Sequence, residues 1–176
     1  MKKKIVVLGF LGTNLDQGGK ARWGRWRPTI SLGQQDDLLV DRFELFYEKN
    51  FLDLAQLVQK DFQQVSPETE FNLREVVLKD PWDFQTVYSG IFDNLKDYKF
   101  DTDNEEHLVH ITTGTHVIQI CLFLLTESRH IPGKLLQTHM QKSRNPNGTY
   151  TIIDLDLSKY DKIAERFHQE QKEVRD

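Results

Sequence analysis

The fold is decided by the stretch Lys4-Ile5-Val6-Val7-Leu8-Gly9-Phe10-Leu11-Gly12-Thr13. Residues 4–8 carry a short continuous apolar run that ends at Gly9, a pattern typical of a strand buried on both faces of a parallel sheet. We therefore predict a central strand here. A turn that contains Gly9 and Gly12 follows it directly.

Two strand–helix units come after this first strand. A β-rich stretch at 38–47 leads into apolar residues that recur at helical spacing over 51–65, which predicts a strand and an amphipathic helix. The second unit pairs a strand at 70–78 with a helix whose apolar face extends over 84–95. Asp80-Pro81 predicts the start of that helix, because aspartate is a good N-cap and proline suits the first helical position.

A third unit completes the alternation of strands and helices. It comprises a strand at 107–111, the turn Thr112-Thr113-Gly114-Thr115, a helix at 117–128 and a short strand at 134–138. Right-handed crossovers between parallel strands place the helices on both faces of a sheet. The sequence therefore predicts an α/β fold with a doubly wound, mostly parallel, Rossmann-like sheet.

The C-terminal part follows a different pattern. Asn145-Pro146-Asn147-Gly148 predicts a turn, and 150–155 alternate like an edge strand, so we expect a C-terminal β-hairpin. Ser158 is expected to cap a charged helix. We predict one folded domain over 1–156 and a helical linker over 157–176.

The composition is typical of one folded domain without a membrane span. The 176 residues include 38% hydrophobic and 11% aromatic side chains, which suffice for a substantial core. The longest apolar run, at 120–125, is much shorter than the roughly 20 residues that a bilayer-spanning helix needs, and no signal peptide follows Met1. We expect a soluble, cytoplasmic protein with no membrane partner. Cys121 is the single cysteine, which excludes an internal disulfide and a cysteine zinc cluster.

Positive charge is concentrated at the start of an otherwise acidic chain. The chain holds 23 Lys and Arg against 27 Asp and Glu, which argues against wholesale binding to duplex DNA. Residues 1–30 nevertheless contain a single acid, Asp16, and the cations Lys2, Lys3, Lys4, Lys20, Arg22, Arg25 and Arg27. We expect this first segment to meet any anionic partner.

Two glycine-containing turns follow the first and the fourth predicted strand. In a doubly wound sheet these strands lie side by side at the switch point, where their turns frame a crevice lined by backbone N–H groups and helix N-termini. Such a crevice suits a phosphate group. Each turn alone has a second interpretation, because Gly9-x-x-Gly12 also forms a tight turn and Thr112 or Thr113 also caps a helix.

The sequence lacks the residues that other nucleotide-binding and metal-binding motifs require. A Walker P-loop ending at Gly19-Lys20 would need glycine in place of Asn14 and a hydroxyl residue in place of Ala21. A dinucleotide fingerprint lacks the third glycine and a suitably placed acid, so NAD is not expected. His107 and His110 face opposite sides of a strand and cannot chelate one metal together. We expect no cofactor.

A second candidate contact is the segment in which Arg22 and Arg25 alternate with Trp23 and Trp26. Guanidinium groups can bind phosphates while an indole stacks on a base, and proteins bind single-stranded RNA in this way. The alternative is a surface loop whose two tryptophans pack into the core while the arginines stay solvated.

His116 and Trp82 are further candidates near the predicted crevice. His116 lies at the start of a helix, where an imidazole can bind a phosphate, act as a general acid or base, or serve as a cap. Binding is the role that we expect. Trp82 is explained by a helix start without any function.

Several separated motifs together resemble the N-terminal domain of the RtcR family of transcriptional activators. They are Gly9-Phe10-Leu11-Gly12-Thr13, Arg22-Trp23-x-x-Trp26-Arg27-Pro28-Thr29, Ser66-Pro67-Glu68-Thr69-Glu70, Asp80-Pro81-Trp82-Asp83-Phe84 and His110-Ile111-Thr112-Thr113-Gly114-Thr115-His116. The resemblance covers essentially the whole chain. It implies a CRISPR-associated Rossmann fold (CARF) domain, which senses nucleotides or short oligonucleotides at a crevice shared by two subunits.

The resemblance also implies partners and a ligand. It implies a homodimer, and in the full-length regulator an AAA+ ATPase that works on sigma-54 RNA polymerase. The implied ligand is RNA ending in a 2′,3′-cyclic phosphate, whose binding relieves repression of the ATPase and switches on RNA-repair genes. The two ligand loops of the family correspond to Leu11, Gly12 and Thr13, and to Thr112, Thr113, Gly114, Thr115 and His116; related domains often carry Lys or Arg in place of His116.

Three functions therefore stand as hypotheses. The first is a sensor without enzymatic activity that holds an RNA end. The second is a metal-independent ribonuclease that cleaves its own oligonucleotide ligand by positioning a ribose hydroxyl against the neighbouring phosphate. The third is a dimerisation and repression module with a vestigial crevice.

Overall fold

A six-stranded sheet with helices on both faces forms the domain. The computed structural model describes residues 2–141, 145–154, 166 and 168–172. The strands are β1 (Lys4–Phe10), β2 (Arg42–Tyr47), β3 (Glu70–Glu75), β4 (Glu105–His110), β5 (Gly133–Gln141) and β6 (Asn145–Ile153). The helices are α1 (Pro28–Gly33), α2 (Leu52–Val65), α3 (Phe84–Leu95) and α4 (His116–Glu127), with 3₁₀ helices at Gly19–Gly24 and Lys49–Phe51.

The strand order is β3-β2-β1-β4-β5-β6, and the first five of these are parallel. β1 pairs with β4 in the register Val6 to His107, so the predicted switch point between the two central strands is confirmed. β6 pairs with β5 in the antiparallel sense, which confirms the C-terminal hairpin. The α/β, doubly wound class predicted from the sequence is therefore the observed one.

Each face of the sheet has its own apolar core. Successive strand residues point to opposite faces, so Val7 and Leu8 of β1 enter different cores. On one face, α1 and α2 cover Phe43 of β2 and Phe71 of β3, whose rings stack at 4.9 Å, and Phe62 of α2 packs against both. On the other face α3 and α4 pack together. Their buried residues there are Val87, Ile91 and Leu95 of α3 and Ile118, Cys121, Leu122 and Leu125 of α4.

Several predicted boundaries are wrong for local reasons. Asp80 does not cap α3: its side chain accepts from the amide of Trp82, whereas Asp83 accepts from the amide of Thr86 at 2.9 Å and forms the N-cap. The stretch at 38–41 precedes β2 and is not part of it. Asn145-Pro146-Asn147-Gly148 belongs to β6, opposite an irregular register at His139 and Gln141.

The linker prediction falls mostly outside the described residues. Ser158 and the start of the predicted helix lie outside them, as does Leu155 at the predicted end of the last strand. Arg166 and residues 168–172 are helical and exposed. None of the helices in the described part of the chain has the length and apolar character needed to cross a membrane.

The far end of α4 lies close to the end of β6. Thr126, Glu127 and Arg129 share a small crevice with Ile153 and Asp154. Because β6 is antiparallel to its neighbour β5, it ends at the end of the sheet where the parallel strands begin.

His110 is expected to make the domain less stable in mild acid. It is buried, its Nε2 bonds the Thr138 hydroxyl at 2.9 Å, and burial lowers its pKa to about 3. Below pH 6.5, His110 is protonated in the unfolded chain but stays neutral in the folded protein. The free energy of unfolding therefore falls by about 1.4 kcal/mol per pH unit because of this residue. Urea unfolding of the wild type and of His110→Gln between pH 7 and pH 5 measures the effect. As the pH falls below 6.5, the free energy of unfolding of the variant should decrease less than that of the wild type, by up to about 1.4 kcal/mol per pH unit. The same dependence of unfolding free energy on pH in both proteins would contradict this.

Candidate functional site

A cleft lies at the carboxyl ends of β1, β2 and β4, the position at which doubly wound sheets bind ligands. Its volume is about 210 Å³. Four of the lining residues are polar or flexible and come from the predicted loops or their neighbours: Thr13, Glu48, Gly114 and Thr115. The others are apolar or aromatic: Phe10, Leu11, Phe46, Tyr47, Phe51, Pro81, Trp82 and Ile118.

The loop after β1 is held by the buried carboxylate of Asp16. One oxygen accepts from the amide of Gly12 at 2.8 Å and from the Thr29 hydroxyl at 2.6 Å, and the other accepts from the Thr29 amide at 2.9 Å. Burial raises the pKa of Asp16, while the bonds from Thr29 and Gly12 and the charge of Arg27 act in the opposite direction. A Cβ at Gly12 would lie 2.9 Å from the Asp16 carboxylate, so only glycine fits this turn.

The threonine hydroxyls of the second loop are used to shape it. Thr113 donates to the carbonyl oxygen of Phe10 at 2.6 Å, which ties the loop to the end of β1. Thr115 caps α4 by accepting from the amide of Ile118, and it donates to the carbonyl oxygen of Pro81 at 2.8 Å. Thr112 accepts from the amide of Thr138 at 2.9 Å. These bonds fix the loop before any ligand arrives.

What the second loop offers to a ligand is backbone N–H groups. No described residue accepts a hydrogen bond from the amides of Gly114, His116 or Val117. Gly114 has a φ of +90°, which disfavours any residue with a side chain. The amides lie at the N-terminus of the 12-residue helix α4, where the helix dipole favours an anion.

An aromatic pair borders the cleft. The exposed rings of Trp82 and His116 lie with their centroids 5.3 Å apart. Trp82 lines the cleft and keeps 61% of its surface exposed. Trp82 directly precedes Asp83, the N-cap of α3, so both the helix-start interpretation and a ligand contact stay open.

The basic segment at Gly19–Gly24 and beyond is anchored to α2. Asp61 of α2 accepts from Arg22 at 2.7 Å and from Arg27 at 2.8 Å, and Arg27 is buried. Burial alone would raise the pKa of Asp61, but these bonds and the two positive charges hold it below its usual value. The guanidinium group of Arg27 also lies 5.2 Å from the Trp23 ring centroid.

The predicted site residues fall into three groups. Leu11, Thr13, Gly114 and Thr115 line the cleft, while His116 contacts Trp82 at its border. Gly12, Thr112 and Thr113 form hydrogen bonds that hold the two loops in place. Arg22, Trp23, Arg25 and Trp26 lie outside the lining, although Arg25 donates to the carbonyl oxygen of Asn14 next to Thr13. Trp26 packs against the hairpin, where a Cβ at Gly148 would lie 2.5 Å from its Nε1. A ligand role for these four residues stays a prediction.

Sequence reasoning missed the contribution of β2. Tyr47 ends that strand, Glu48 follows it, and both line the cleft together with Phe51. The signal was present, since a third strand end next to the central pair contributes its own loop. Over the described ranges, no three His, Cys, Asp or Glu side chains are close enough to hold a metal ion.

The fold is shared with solved structures of distant sequence. Enterococcus italicus Csm6 bound to cyclic hexa-2′-fluoro-hexa-dAMP matches with a TM-score of 0.69 and 14% identity, covering 92% of this chain and 45% of that chain. Can2 from Sulfobacillus thermosulfidooxidans in complex with cyclic tetra-adenylate matches with a TM-score of 0.52 and 15% identity, covering 89% and 40%. These similarities confirm the CARF fold.

The sequence comparisons identify the family. The profile described as "Regulator of RNA terminal phosphate cyclase", RtcR, matches residues 3–176. The transcriptional regulatory protein RtcR of Escherichia coli (strain K12) is 45% identical over 179 residues, which cover 99% of this chain and 34% of the relative. The chain thus spans about a third of the length of that relative. Matched from one end to the other by profile and by relative, and folded as the CARF resemblance implied, the chain belongs to the RtcR family.

Proposed function

We propose that this domain is a regulatory sensor that binds an RNA end or an oligonucleotide in the cleft, and that it is not itself an enzyme. One observation carries the proposal. The free amides at the start of α4 and the exposed Trp82 ring meet at the same cleft, so a phosphate and a base can be held side by side.

The chemistry of the cleft suits a nucleotide held by backbone groups. No Lys or Arg belongs to its described lining, so the phosphate would be bound by the amides of Gly114, His116 and Val117. The imidazole of His116 would contribute at the border. Among the basic segment, we propose the exposed side chains of Trp23 and Arg25 as contacts for the adjoining nucleotide.

Membership of the family supports the ligand and the partners that we propose. The E. coli relative is a transcriptional regulator, and the structural relatives carry cyclic oligoadenylate or an analogue of it. We extend this to RNA with a 2′,3′-cyclic phosphate as the ligand and to a homodimer as the binding form. In the longer protein, ligand binding would relieve repression of an AAA+ ATPase that acts on sigma-54 RNA polymerase and would switch on RNA-repair genes.

The test compares one short RNA in three forms, ending in 2′,3′-cyclic phosphate, 3′-phosphate or 3′-hydroxyl. The RNAs are titrated into the domain at fixed salt, because phosphate contacts depend on salt. We expect the cyclic end to bind most tightly and the RNA to be recovered intact. Equal weak binding of all three forms would contradict the RNA-end sensor. RNA shortened during incubation would instead support the ribonuclease, and dimers that bind no nucleotide would support the repression module.

Trp82→Ala is expected to weaken RNA binding by roughly 5-fold to 150-fold. The reason is that stacking of one base on an aromatic ring contributes about 1–3 kcal/mol. Val77→Ala is the matched control, since Val77 is also exposed but lies outside the described lining. Titration of both variants with the tightest of the three RNAs measures the effect. Equal affinity of the two variants would remove Trp82 from the site.

A further inference from the structure

Glu48 is an acid in a cleft that we propose to bind an anion. It directly follows β2 and precedes the 3₁₀ helix Lys49–Phe51, whose start it occupies without making a side-chain cap. No described residue forms a hydrogen bond or an ion pair with its carboxylate. Burial raises the pKa of Glu48, and no contact within the described part of the chain offsets this desolvation of the carboxylate.

A carboxylate at this place selects for the part of a ligand that donates hydrogen bonds. It repels a phosphate and accepts strongly from an O–H or N–H group. Glu48 shares the cleft with Thr13 from the loop after β1 and with Thr115 at the start of α4. A nucleotide whose phosphate lies at α4 therefore presents its sugar or its base to β2.

The position of Glu48 in the sheet favours the sugar. In doubly wound nucleotide-binding folds, an acid after the second strand accepts from the ribose 2′-hydroxyl, about 20 residues beyond the glycine turn. Here the connection between β1 and β2 holds the 3₁₀ helix Gly19–Gly24 as well as α1, so the acid lies further along the chain than in that motif. The glycine spacing of the dinucleotide motif fails, but the acid still follows β2, which lies beside β1.

We propose that Glu48 accepts a hydrogen bond from a ribose 2′-hydroxyl of the bound nucleotide and thereby makes the cleft select RNA over DNA. The inference rests on the proposed function and specifies which ligand group β2 contacts. In RNA that ends in a 2′,3′-cyclic phosphate the last ribose has no free 2′-hydroxyl. The contacted ribose is therefore one that precedes the last.

The experiment moves a single 2′-deoxy substitution through a short RNA, one position at a time. Each RNA is titrated into the wild type, Glu48→Gln, Glu48→Met and Asp93→Asn, the last being an exposed acid of α3 that controls for net charge. We expect the wild type and Asp93→Asn to lose tenfold or more in affinity at one position, the order of magnitude of a hydrogen bond to a charged group. That loss should shrink in Glu48→Gln and vanish in Glu48→Met.

The outcomes separate this inference from the proposed function. If RNA binds the wild type but Glu48→Met keeps the same sensitivity to the 2′-deoxy position, the ribose contact is wrong while the sensor function stands. If the wild type binds RNA but loses no affinity at any 2′-deoxy position, the ribose contact is also wrong while the sensor function stands. If no RNA binds the wild type, the proposed function fails and this inference with it.

Discussion

Replacing Asp61 with asparagine is expected to lower the free energy of unfolding by about 3–5 kcal/mol, because it removes the carboxylate that is directly paired with the buried Arg27. The side chains of Asp61 and Arg27 are both only 1% exposed, and their ion pair is 2.8 Å long. The described contacts of Arg27 include no other acidic side chain, since its second bond goes to the carbonyl oxygen of Asp16. The loss is therefore a large part of the roughly 5–15 kcal/mol that holds a domain folded.

Two further variants control this prediction. Arg22→Met should cost much less, because the Arg22 side chain is 24% exposed and Asp61 keeps its bond to Arg27. Asp53→Asn changes an exposed acid on the same helix and should leave stability nearly unchanged. Urea unfolding at pH 7 ranks the three variants. If Asp61→Asn ranks with Asp53→Asn, the ion pairs of Asp61 do not stabilise the domain and the prediction is wrong.

Replacing Asp16 with alanine is the second large effect, and we expect a loss of at least about 3 kcal/mol of unfolding free energy. The substitution removes the acceptor from three buried donors, and each unsatisfied donor costs about 1–3 kcal/mol. Two of these donors are the backbone amides of Gly12 and Thr29, which no side-chain change can remove. The loop after β1 should therefore lose its defined conformation, and affinity for the ligand should fall with it.

The control for Asp16 isolates one of its bonds. Thr29→Val removes the hydroxyl donor but keeps the amide bond, so its cost should be clearly smaller. Asp16→Asn keeps the shape and one acceptor oxygen, and it provides a folded variant if the alanine protein does not fold. Unfolding in urea measures stability, and hydrogen exchange at Gly12 reports the loop. A stable Asp16→Ala protein with a protected Gly12 amide would contradict the prediction.

The sheet was predictable from the sequence because its strands and helices carry strong, separate patterns. The apolar run of β1 and the helical spacing of α2 each need no knowledge of the rest of the chain. The switch point followed from the order of these elements. The boundary errors arise where two residues compete for one role, as Asp80 and Asp83 do for the cap of α3.

The site was only partly predictable, because its remaining features depend on contacts between distant segments. The indoles and guanidinium groups of 22–27 suggested an RNA grip, whereas the acid that anchors Arg22 and Arg27 lies on α2, far along the chain. The sequence around Asp61 gives no indication that this residue pairs with the two arginines. Glu48 was missed because the 3₁₀ helix Gly19–Gly24 lengthens the connection between β1 and β2, which breaks the spacing by which an acid after the second strand is recognised.

Helix α4 gives the domain a stiff rod between its two ends. Its 12 residues span about 18 Å. One end carries the amides and His116 at the cleft, and the other shares a crevice with Ile153 and Asp154, where the last strand finishes. A helix of this length bends little, so a shift or a tilt at one end of α4 is passed to the other end. We therefore expect a ligand that displaces the His116 end of α4 to move the crevice beside Asp154, which lies at the end of the sheet opposite the cleft.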